Sequence, residues 1–295
     1  MEVGQLGNDL KNIEMNFNTT ILIIGFGSIG RRHTNNLLLL TKSNLIIYTN
    51  RKNIKKTEFI DYRKNKSRIK ILNDIKLCLD ENPKLCFICN ETSLHMNFAV
   101  KLAKKKMDIF IEKPLSNSIK NISSLQSVMQ KNKKILMVGC NFRFYPPIQK
   151  IKQLISTKFL GNIISVQCEN NSYLPDWHPS EDYRSNYAAK DSKGGGVTLT
   201  QIHELDFLIW IFGSYKKIHS LVGKFSNLDI SADDLSASVI ELKNKIIIEL
   251  HLDYFSRPFY KRIKIRGTKG TLYWNSKQNS LKIFDNKKQH WSIIS

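Results

Sequence analysis

The residues in this sequence best suited to chemistry are a glycine-rich segment, one lysine and one histidine. Gly25, Gly27 and Gly30 have the spacing G-x-G-x-x-G, which lets the main chain approach the pyrophosphate of a dinucleotide. Lys113 lies in a Glu-Lys-Pro segment after an apolar run, and His203 follows three consecutive glycines. Both side-chain types can transfer a proton near neutral pH. Together they predict a nucleotide site combined with proton-transfer chemistry.

The glycine-rich segment lies between elements that favour the dinucleotide interpretation. Residues 20–27 are an apolar run typical of a strand buried on both faces. Residues 28–40 predict a helix whose N-terminus would face the phosphates, and residues 45–50 predict a second strand. The alternative is a glycine-rich turn without a ligand. The predicted contacts to the cofactor here are Gly25, Gly27, Ser28, Ile29 and Gly30.

The end of the second predicted strand bears on which dinucleotide binds. An NAD site usually has an acidic residue about twenty positions after the glycines, where it binds the ribose 2′-hydroxyl. This sequence has Thr49, Asn50 and Arg51 there instead. Hydroxyl, amide and guanidinium groups suit a 2′-phosphate. We therefore predict that these three residues bind the cofactor and that NADP(H) is favoured over NAD(H), unless Arg51 is simply a solvated turn residue.

Strands and helices continue to alternate up to residue 141, which is typical of a doubly wound parallel sheet. The further predicted strands are residues 68–74, 84–90, 107–114 and 134–141, and the further helices are residues 75–81, 94–106 and 119–131. The later sequence is mostly β-type with turn signals, interrupted by an amphipathic helix at 203–213. We expect a loose extension (1–18), a Rossmann NAD(P)-binding domain (19–141) and an α+β domain with a mostly antiparallel open sheet (142–295), which binds substrate, forms oligomers and lacks a final helix.

Composition limits the classes of partner. The net charge of +21 over 295 residues could attract nucleic acid, but the sequence has no nucleic-acid-binding motif, and the lysines are scattered along the whole chain. We expect neither a nucleic-acid nor a membrane partner. Five cysteines without an export signal indicate a reducing, cytoplasmic location. Cys86 and Cys89 are expected to be buried thiols, and no metal site is predicted.

Six motifs occur together in one order along the chain. They are GFGSIGRRH (25–33), CNETSLH (89–95), EKPLS (112–116), GCNFRFYPP (139–147), GGGVTLTQIHELDFLIWIFG (194–213) and IRGTKGTLYW (265–274). With them the chain resembles the Gfo/Idh/MocA oxidoreductases, the glucose-fructose oxidoreductase and inositol dehydrogenase superfamily. The segment at 173–184 is similar to a subgroup of surface-polysaccharide and acidic-sugar biosynthesis enzymes.

The resemblance implies roles for residues at the ends of the Rossmann strands. Asn90, Thr92 and His95 would line the nicotinamide-ribose region, with Glu112 and Lys113 closing it. Such polar residues lie at the carboxyl ends of parallel strands, where ligands bind in open α/β sheets. His95 has the alternative role of a helix-start residue with a local hydrogen bond. Lys113 is the predicted catalytic residue, with a cis bond to Pro114 that aims it into the cleft.

The second half departs from the family pattern, because Thr200 stands where an aspartate is expected before the catalytic histidine, His203. Glu204 or Asp206 is then expected to orient the imidazole, or else Lys113 works largely alone. Aromatic and arginine side chains suit a polyhydroxylated ligand, and arginine also suits an anionic one; the alternative for Trp177 and Tyr183 is packing on the core. The predicted substrate-binding residues are Arg143, Tyr145, Trp177, His178, Tyr183, Arg184, His203 and Asp206.

These predictions amount to an NAD(P)-dependent oxidoreductase. It would transfer a hydride between nicotinamide and the carbinol or keto carbon of a sugar or sugar derivative, in surface-polysaccharide or sialic-acid-like biosynthesis. The missing aspartate favours the alternative of a non-catalytic NADP-binding regulator. A homodimer or homotetramer is expected to form through an apolar outer face of the C-terminal sheet.

Overall fold

A computed structural model describes residues 18–278 and 280–294. The predicted N-terminal extension therefore lies outside the described residues, except for Asn18. The chain divides into two compact units, Met1–Gly139 and Cys140–Ser295. None of the helices within residues 18–278 and 280–294 is both long and apolar enough to cross a membrane.

The first unit is a six-stranded parallel sheet with strand order β3-β2-β1-β4-β5-β6, as in dinucleotide-binding folds. Its strands are β1 (Thr20–Ile24), β2 (Asn44–Tyr48), β3 (Ile69–Leu72), β4 (Leu85–Ile88), β5 (Asp108–Ile111) and β6 (Leu136–Val138). Its helices are α1 (Ser28–Leu40), α2 (Tyr62–Asn65), α3 (Ile75–Asp80), α4 (Thr92–Lys104) and α5 (Ile122–Lys131).

The apolar run at the start of the unit forms β1 because both faces of this central strand are covered. Leu22 and Ile24 pack into one core cluster, and Ile21 and Ile23 pack into another. All four side chains are essentially inaccessible to solvent. Helices on both faces of a parallel sheet require such a continuous apolar strand, so the predicted Rossmann unit is confirmed.

The second unit contains an eight-stranded sheet with strand order β14-β13-β12-β11-β7-β10-β9-β8. Its strands are β7 (Ile163–Tyr173), β8 (Tyr215–Gly223), β9 (Leu235–Leu242), β10 (Ile247–Asp253), β11 (Phe255–Gly267), β12 (Gly270–Asn275), β13 (Ser280–Asp285) and β14 (His290–Ile294). Its helices are α6 (Pro146–Ser156), α7 (Val197–Thr200) and α8 (Ile202–Phe212). All neighbouring strands are antiparallel except β7 and β10, which confirms a mostly antiparallel sheet.

The structure differs from the sequence predictions mainly at element ends. α5 begins at Ile122 rather than residue 119, because Asn121 before it has a φ of 66°. β11 extends back to Phe255, where it pairs with Tyr173 of the long strand β7. β14 was not predicted. The predicted cis peptide between Lys113 and Pro114 is confirmed.

Candidate active site

The three glycines before and within α1 differ in what they make room for. A Cβ on Gly25, whose φ is 93°, would lie 2.8 Å from the main-chain nitrogen of Asn90. A Cβ on Gly30 would lie 2.1 Å from the carbonyl oxygen of Gly25. A Cβ on Gly27 would meet no atom of the described chain within 4 Å. Gly25 and Gly30 are therefore required by the packing of the turn, whereas Gly27 leaves open space at the start of α1.

That open space suits an anionic ligand. Gly27 precedes the first residue of α1 and offers no side-chain cap, so the first N–H groups of the 13-residue helix remain available to a phosphate. Ser28 and Ile29 supply two of these N–H groups. The predicted phosphate contacts at Gly27, Ser28 and Ile29 thus have a physical basis in the structure.

A second feature at the same edge of the sheet also fits a ligand. The side-chain oxygen of Asn90, just after β4, is buried and has no hydrogen-bond partner in the described part of the chain. A buried acceptor without a partner costs free energy unless a ligand or water donates to it. Asn90 also lies against Gly25. The open turn and this acceptor together fit a nicotinamide dinucleotide.

His95 has the local hydrogen bonds that the sequence offered as its alternative role. Its side chain is buried, with Nδ1 lying 2.9 Å from the carbonyl oxygen of Pro114 and Nε2 lying 3.0 Å from that of Asn90. Burial lowers the pKa of His95, against the effect of these two carbonyls. Thr92 is also buried, at the start of α4. We assign His95 a positioning role, because its ring links the turn after β4 to the residue that follows Lys113.

Glu112 holds the main chain beside Lys113. Its Oε1 lies 2.7 Å from Nε2 of His33, and its Oε2 accepts a hydrogen bond from the N–H of Lys113 at 3.1 Å. Burial raises the pKa of Glu112, but the hydrogen bonds and charges of His33 and Lys113 together outweigh it, so the net shift is downward. Gly139 leaves room for this carboxylate, because a Cβ on Gly139 would lie only 3.2 Å from Oε1 of Glu112. Sequence analysis did not assign His33, although it lies in the GFGSIGRRH motif.

The ribose end contains a carboxylate that sequence analysis missed. Both terminal nitrogens of Arg51 donate to Glu58, at 2.9 and 3.1 Å. Thr49 is buried and its hydroxyl accepts from the N–H of Arg51 at 3.2 Å, while Asn50 is exposed. An acid therefore lies at this end, although the strand itself ends in Thr49, Asn50 and Arg51 as the sequence indicated. Glu58 escaped notice because it lies seven residues beyond Arg51 in sequence and only the fold returns it to the arginine.

In the second unit, His203 lies beside the ring of Phe142. The two ring centroids are 4.8 Å apart, and Nζ of Lys261 lies 4.1 Å from the centroid of the same phenyl ring. Lys261 forms an ion pair with Glu204 at 2.6 Å, in which the Glu204 side chain is 0% exposed. The ring of Phe142 is therefore close to both the histidine and the lysine of a buried ion pair.

Each of the two acids expected to orient His203 has a basic side chain as a partner. Glu204 pairs with Lys261, and Asp206 accepts two hydrogen bonds from Arg143, at 2.9 and 2.6 Å. The same arginine lies over the ring of Trp210. Each carboxylate therefore has a cation as a partner, and the expectation that one of them orients the imidazole stays a prediction.

Thr200 is a buried structural residue at the position of the missing aspartate. Its hydroxyl donates to the carbonyl oxygen of Gly196 at 2.8 Å and also contacts the hydroxyl of Tyr254. Burial raises the pKa of Tyr254 well above its usual value. This pair of hydroxyls holds α7 against Tyr254, the residue between β10 and β11. The contact contributes to the packing of the second unit.

The other predicted substrate residues divide into two groups. Tyr145 packs near His203, with its ring 5.6 Å from that of Phe142. The remaining four lie along residues 174–193. Trp177 packs edge-on against Tyr254, and the hydroxyl of Tyr183 accepts a hydrogen bond from the N–H of Asp229. Arg184 forms an ion pair with Asp182, and His178 is exposed. The contacts of Trp177, Tyr183 and Arg184 hold that segment together.

Comparisons with known proteins agree with these features. Residues 19–140 match the family model described as an oxidoreductase family with an NAD-binding Rossmann fold, and residues 148–273 match the GFO/IDH/MocA C-terminal domain. A myo-inositol 2-dehydrogenase of Thermotoga maritima is 26% identical over 263 residues, which is 85% of this chain and 73% of that protein.

Two solved structures have the same fold. A levoglucosan dehydrogenase in complex with NADH superposes with a TM-score of 0.79 at 16% identity, covering 94% of this chain and 80% of that one. The WlbA dehydrogenase from Bordetella pertussis, in complex with NADH and UDP-GlcNAcA, has a TM-score of 0.74 at 16% identity, covering 88% and 79% of the two chains.

Proposed function

Because the chain belongs to the Gfo/Idh/MocA family of oxidoreductases, we propose that it transfers a hydride between a nicotinamide dinucleotide and a carbinol or keto carbon of a sugar-like substrate. The observation that carries this proposal is the edge where β1, β4 and β5 end side by side. Open space over Gly27 and the unpartnered oxygen of Asn90 lie there, and Lys113 follows β5.

The cofactor supplies the hydride acceptor or donor, and the protein supplies orientation and proton transfer. Lys113 takes the hydroxyl proton when an alcohol is oxidised and returns it when a ketone is reduced. Its main chain is fixed by Glu112, which is itself held by His33. The family resemblance makes His203 a second candidate for proton transfer.

The substrate class follows from the side chains around Phe142 and from the relatives. Arg143 is paired with Asp206 through Nε and Nη2, and its side chain is 42% exposed, while Tyr145 presents an aromatic face and a hydroxyl. Such groups suit a polyhydroxylated ring with an anionic substituent. The relatives' names specify inositol, levoglucosan and a nucleotide sugar acid. A surface-polysaccharide or sialic-acid-like sugar derivative is the proposed substrate.

The proposed cofactor preference is for NADP(H) over NAD(H). Thr49, Asn50 and Arg51 end the second strand, and the guanidinium of Arg51 has a hydrogen-bonding fork that matches a phosphate. Arg51→Ala should weaken NADPH binding selectively, by about tenfold or more. Equal dissociation constants of the wild-type protein for NADPH and NADH would contradict the preference.

The test of the activity is a screen of inositols, nucleotide sugars and sialic-acid-like compounds with each nicotinamide cofactor, followed at 340 nm. With a substrate in hand, Lys113→Ala should lower the single-turnover hydride-transfer rate by at least about 100-fold, with cofactor affinity nearly unchanged. Lys104→Ala, an exposed lysine of α4, is the matched control. Tight nucleotide binding without turnover of any sugar would instead favour a regulator.

We further propose that two copies associate through the solvent-facing side of the second sheet. Along that face Glu249 of β10 and Lys264 of β11 both flank Gln167 of β7, so acidic and basic side chains lie on opposite sides of a central strand. A two-fold axis would place each against the other. Exposed apolar residues Val239 and Ile293 lie in the same row. A monomeric mass by light scattering at micromolar concentration would contradict this association.

A further inference from the structure

The arginine at the ribose end of the cofactor site already holds a carboxylate. Nη1 of Arg51 lies 2.9 Å from Oε2 of Glu58, and Nη2 lies 3.1 Å from Oε1, so both oxygens are used. Glu58 is well enclosed, with a side chain 9% exposed, whereas that of Arg51 is 43% exposed. The fork that would bind a phosphate is therefore occupied by an acid of the same chain.

Arg51 is also fixed against the glycine turn. Its Nη1 donates to the carbonyl oxygen of Phe26 at 2.9 Å, and Phe26 lies between the first two glycines of the motif. The guanidinium carbon lies 5.8 Å from the centroid of the Phe26 ring. These contacts hold the arginine beside the segment that approaches the dinucleotide, where the ribose of the adenosine half is expected in this fold.

Glu58 is held in its position by further donors. The N–H of Lys55 donates to Oε1 at 2.9 Å, and Nη1 of Arg31 lies 3.3 Å from Oε2. The hydrogen bond from Arg51 lowers the pKa of Glu58 to about 2, so the carboxylate is ionised at neutral pH. Two arginines and one carboxylate leave one net positive charge at this end of the site instead of two.

We propose that Glu58 is a specificity-determining residue for the cofactor, because it competes with a 2′-phosphate for the guanidinium of Arg51. A phosphate must displace the carboxylate or share the arginine with it, and it meets the repulsion of a like charge. A ribose 2′-hydroxyl can instead donate to Glu58 without breaking the ion pair. Glu58 thus narrows the preference for NADP(H) and allows NAD(H) to bind.

This inference rests on the proposed dinucleotide function, and direct binding tests it without a substrate. Dissociation constants of NADPH and NADH are measured by calorimetry for the wild type and Glu58→Gln, which keeps the side-chain length and an acceptor for Lys55. Glu58→Gln should bind NADPH about tenfold more tightly and NADH equally or more weakly, because the competing charge is gone. Glu81→Gln is the matched control, since this acid of the same unit pairs with Lys70.

The outcomes separate the inference from the function it rests on. If neither nucleotide binds the wild type, the proposed function fails. If both bind but Glu58→Gln leaves their ratio unchanged, or if Glu81→Gln changes the ratio equally, Glu58 is not a selectivity residue. In Arg51→Ala, the effect of Glu58→Gln on NADPH should become smaller, because no fork remains to compete for and only the removal of a like charge is left. Glu58→Asp, which withdraws the carboxylate, provides the same test with a smaller shift if Glu58→Gln fails to fold.

Discussion

The ion pair between Lys261 and Glu204 offers a quantitative test of the second unit's core. Lys261→Met removes the cation and leaves the carboxylate of Glu204 in a position where its side chain is 0% exposed. Removing one partner of a buried pair costs about 3–5 kcal/mol, because the other charge stays buried without compensation. Natural domains have only about 5–15 kcal/mol of stability in total. The variant should therefore unfold at much lower denaturant concentration.

Tryptophan fluorescence can follow this unit by itself, because all four tryptophans lie after residue 140, at positions 177, 210, 274 and 291. Trp274 is 1% exposed, so its emission should shift when the unit unfolds. With a urea m-value of about 2 kcal/mol per molar, the loss corresponds to a midpoint about 1.5–2.5 M lower. Lys243→Met is the matched control, because this lysine of the same unit is exposed in the turn after β9.

The double variant distinguishes the ion pair from simple packing. Lys261→Met combined with Glu204→Leu removes both charges and fills the space with apolar atoms, so most of the stability should return. A double variant as unstable as Lys261→Met alone would refute the explanation. So would a single variant whose midpoint lies within about 0.3 M of the wild type, since that is within the error of the extrapolation.

Two further predictions concern the first unit. Gly27→Ala should leave thermal stability nearly unchanged, because the new Cβ meets no atom of the described chain within 4 Å. The same Cβ should weaken NADPH binding by at least about tenfold, because it blocks the approach of the pyrophosphate. Gly30→Ala should instead destabilise the fold, because its Cβ would lie 2.1 Å from the carbonyl oxygen of Gly25. The pairing of Glu58 with Arg51 lowers the pKa of Glu58 from 4.5 to about 2, so its contribution is fully present above about pH 4.5 and lost as the pH falls toward 2. Stability measured by circular dichroism across that window should therefore fall less steeply in Glu58→Gln, and parallel curves would contradict the assignment.

The sequence alone determined the architecture of the first unit, because the signals involved are local. A continuous apolar run, three glycines at fixed spacing and a following helix specify a strand, a turn and a helix within twenty-one residues, and β1 and α1 form where they were predicted. The alternation of strands and helices likewise predicted the parallel sheet. The predicted proton-transfer role of Lys113 rests on the Glu-Lys-Pro segment and the family resemblance.

Only the tertiary structure decided which charged groups are partners. Glu112 and His33 are 79 residues apart, and Lys261 of strand β11 reaches Glu204 of helix α8. With 46 basic and 25 acidic residues in the chain, the sequence offers many possible pairs of opposite charge. Chain topology selects among them. From the sequence, Arg51 was predicted to bind a phosphate. The tertiary structure brings Glu58 back to this arginine and shows that its guanidinium is already paired with a carboxylate.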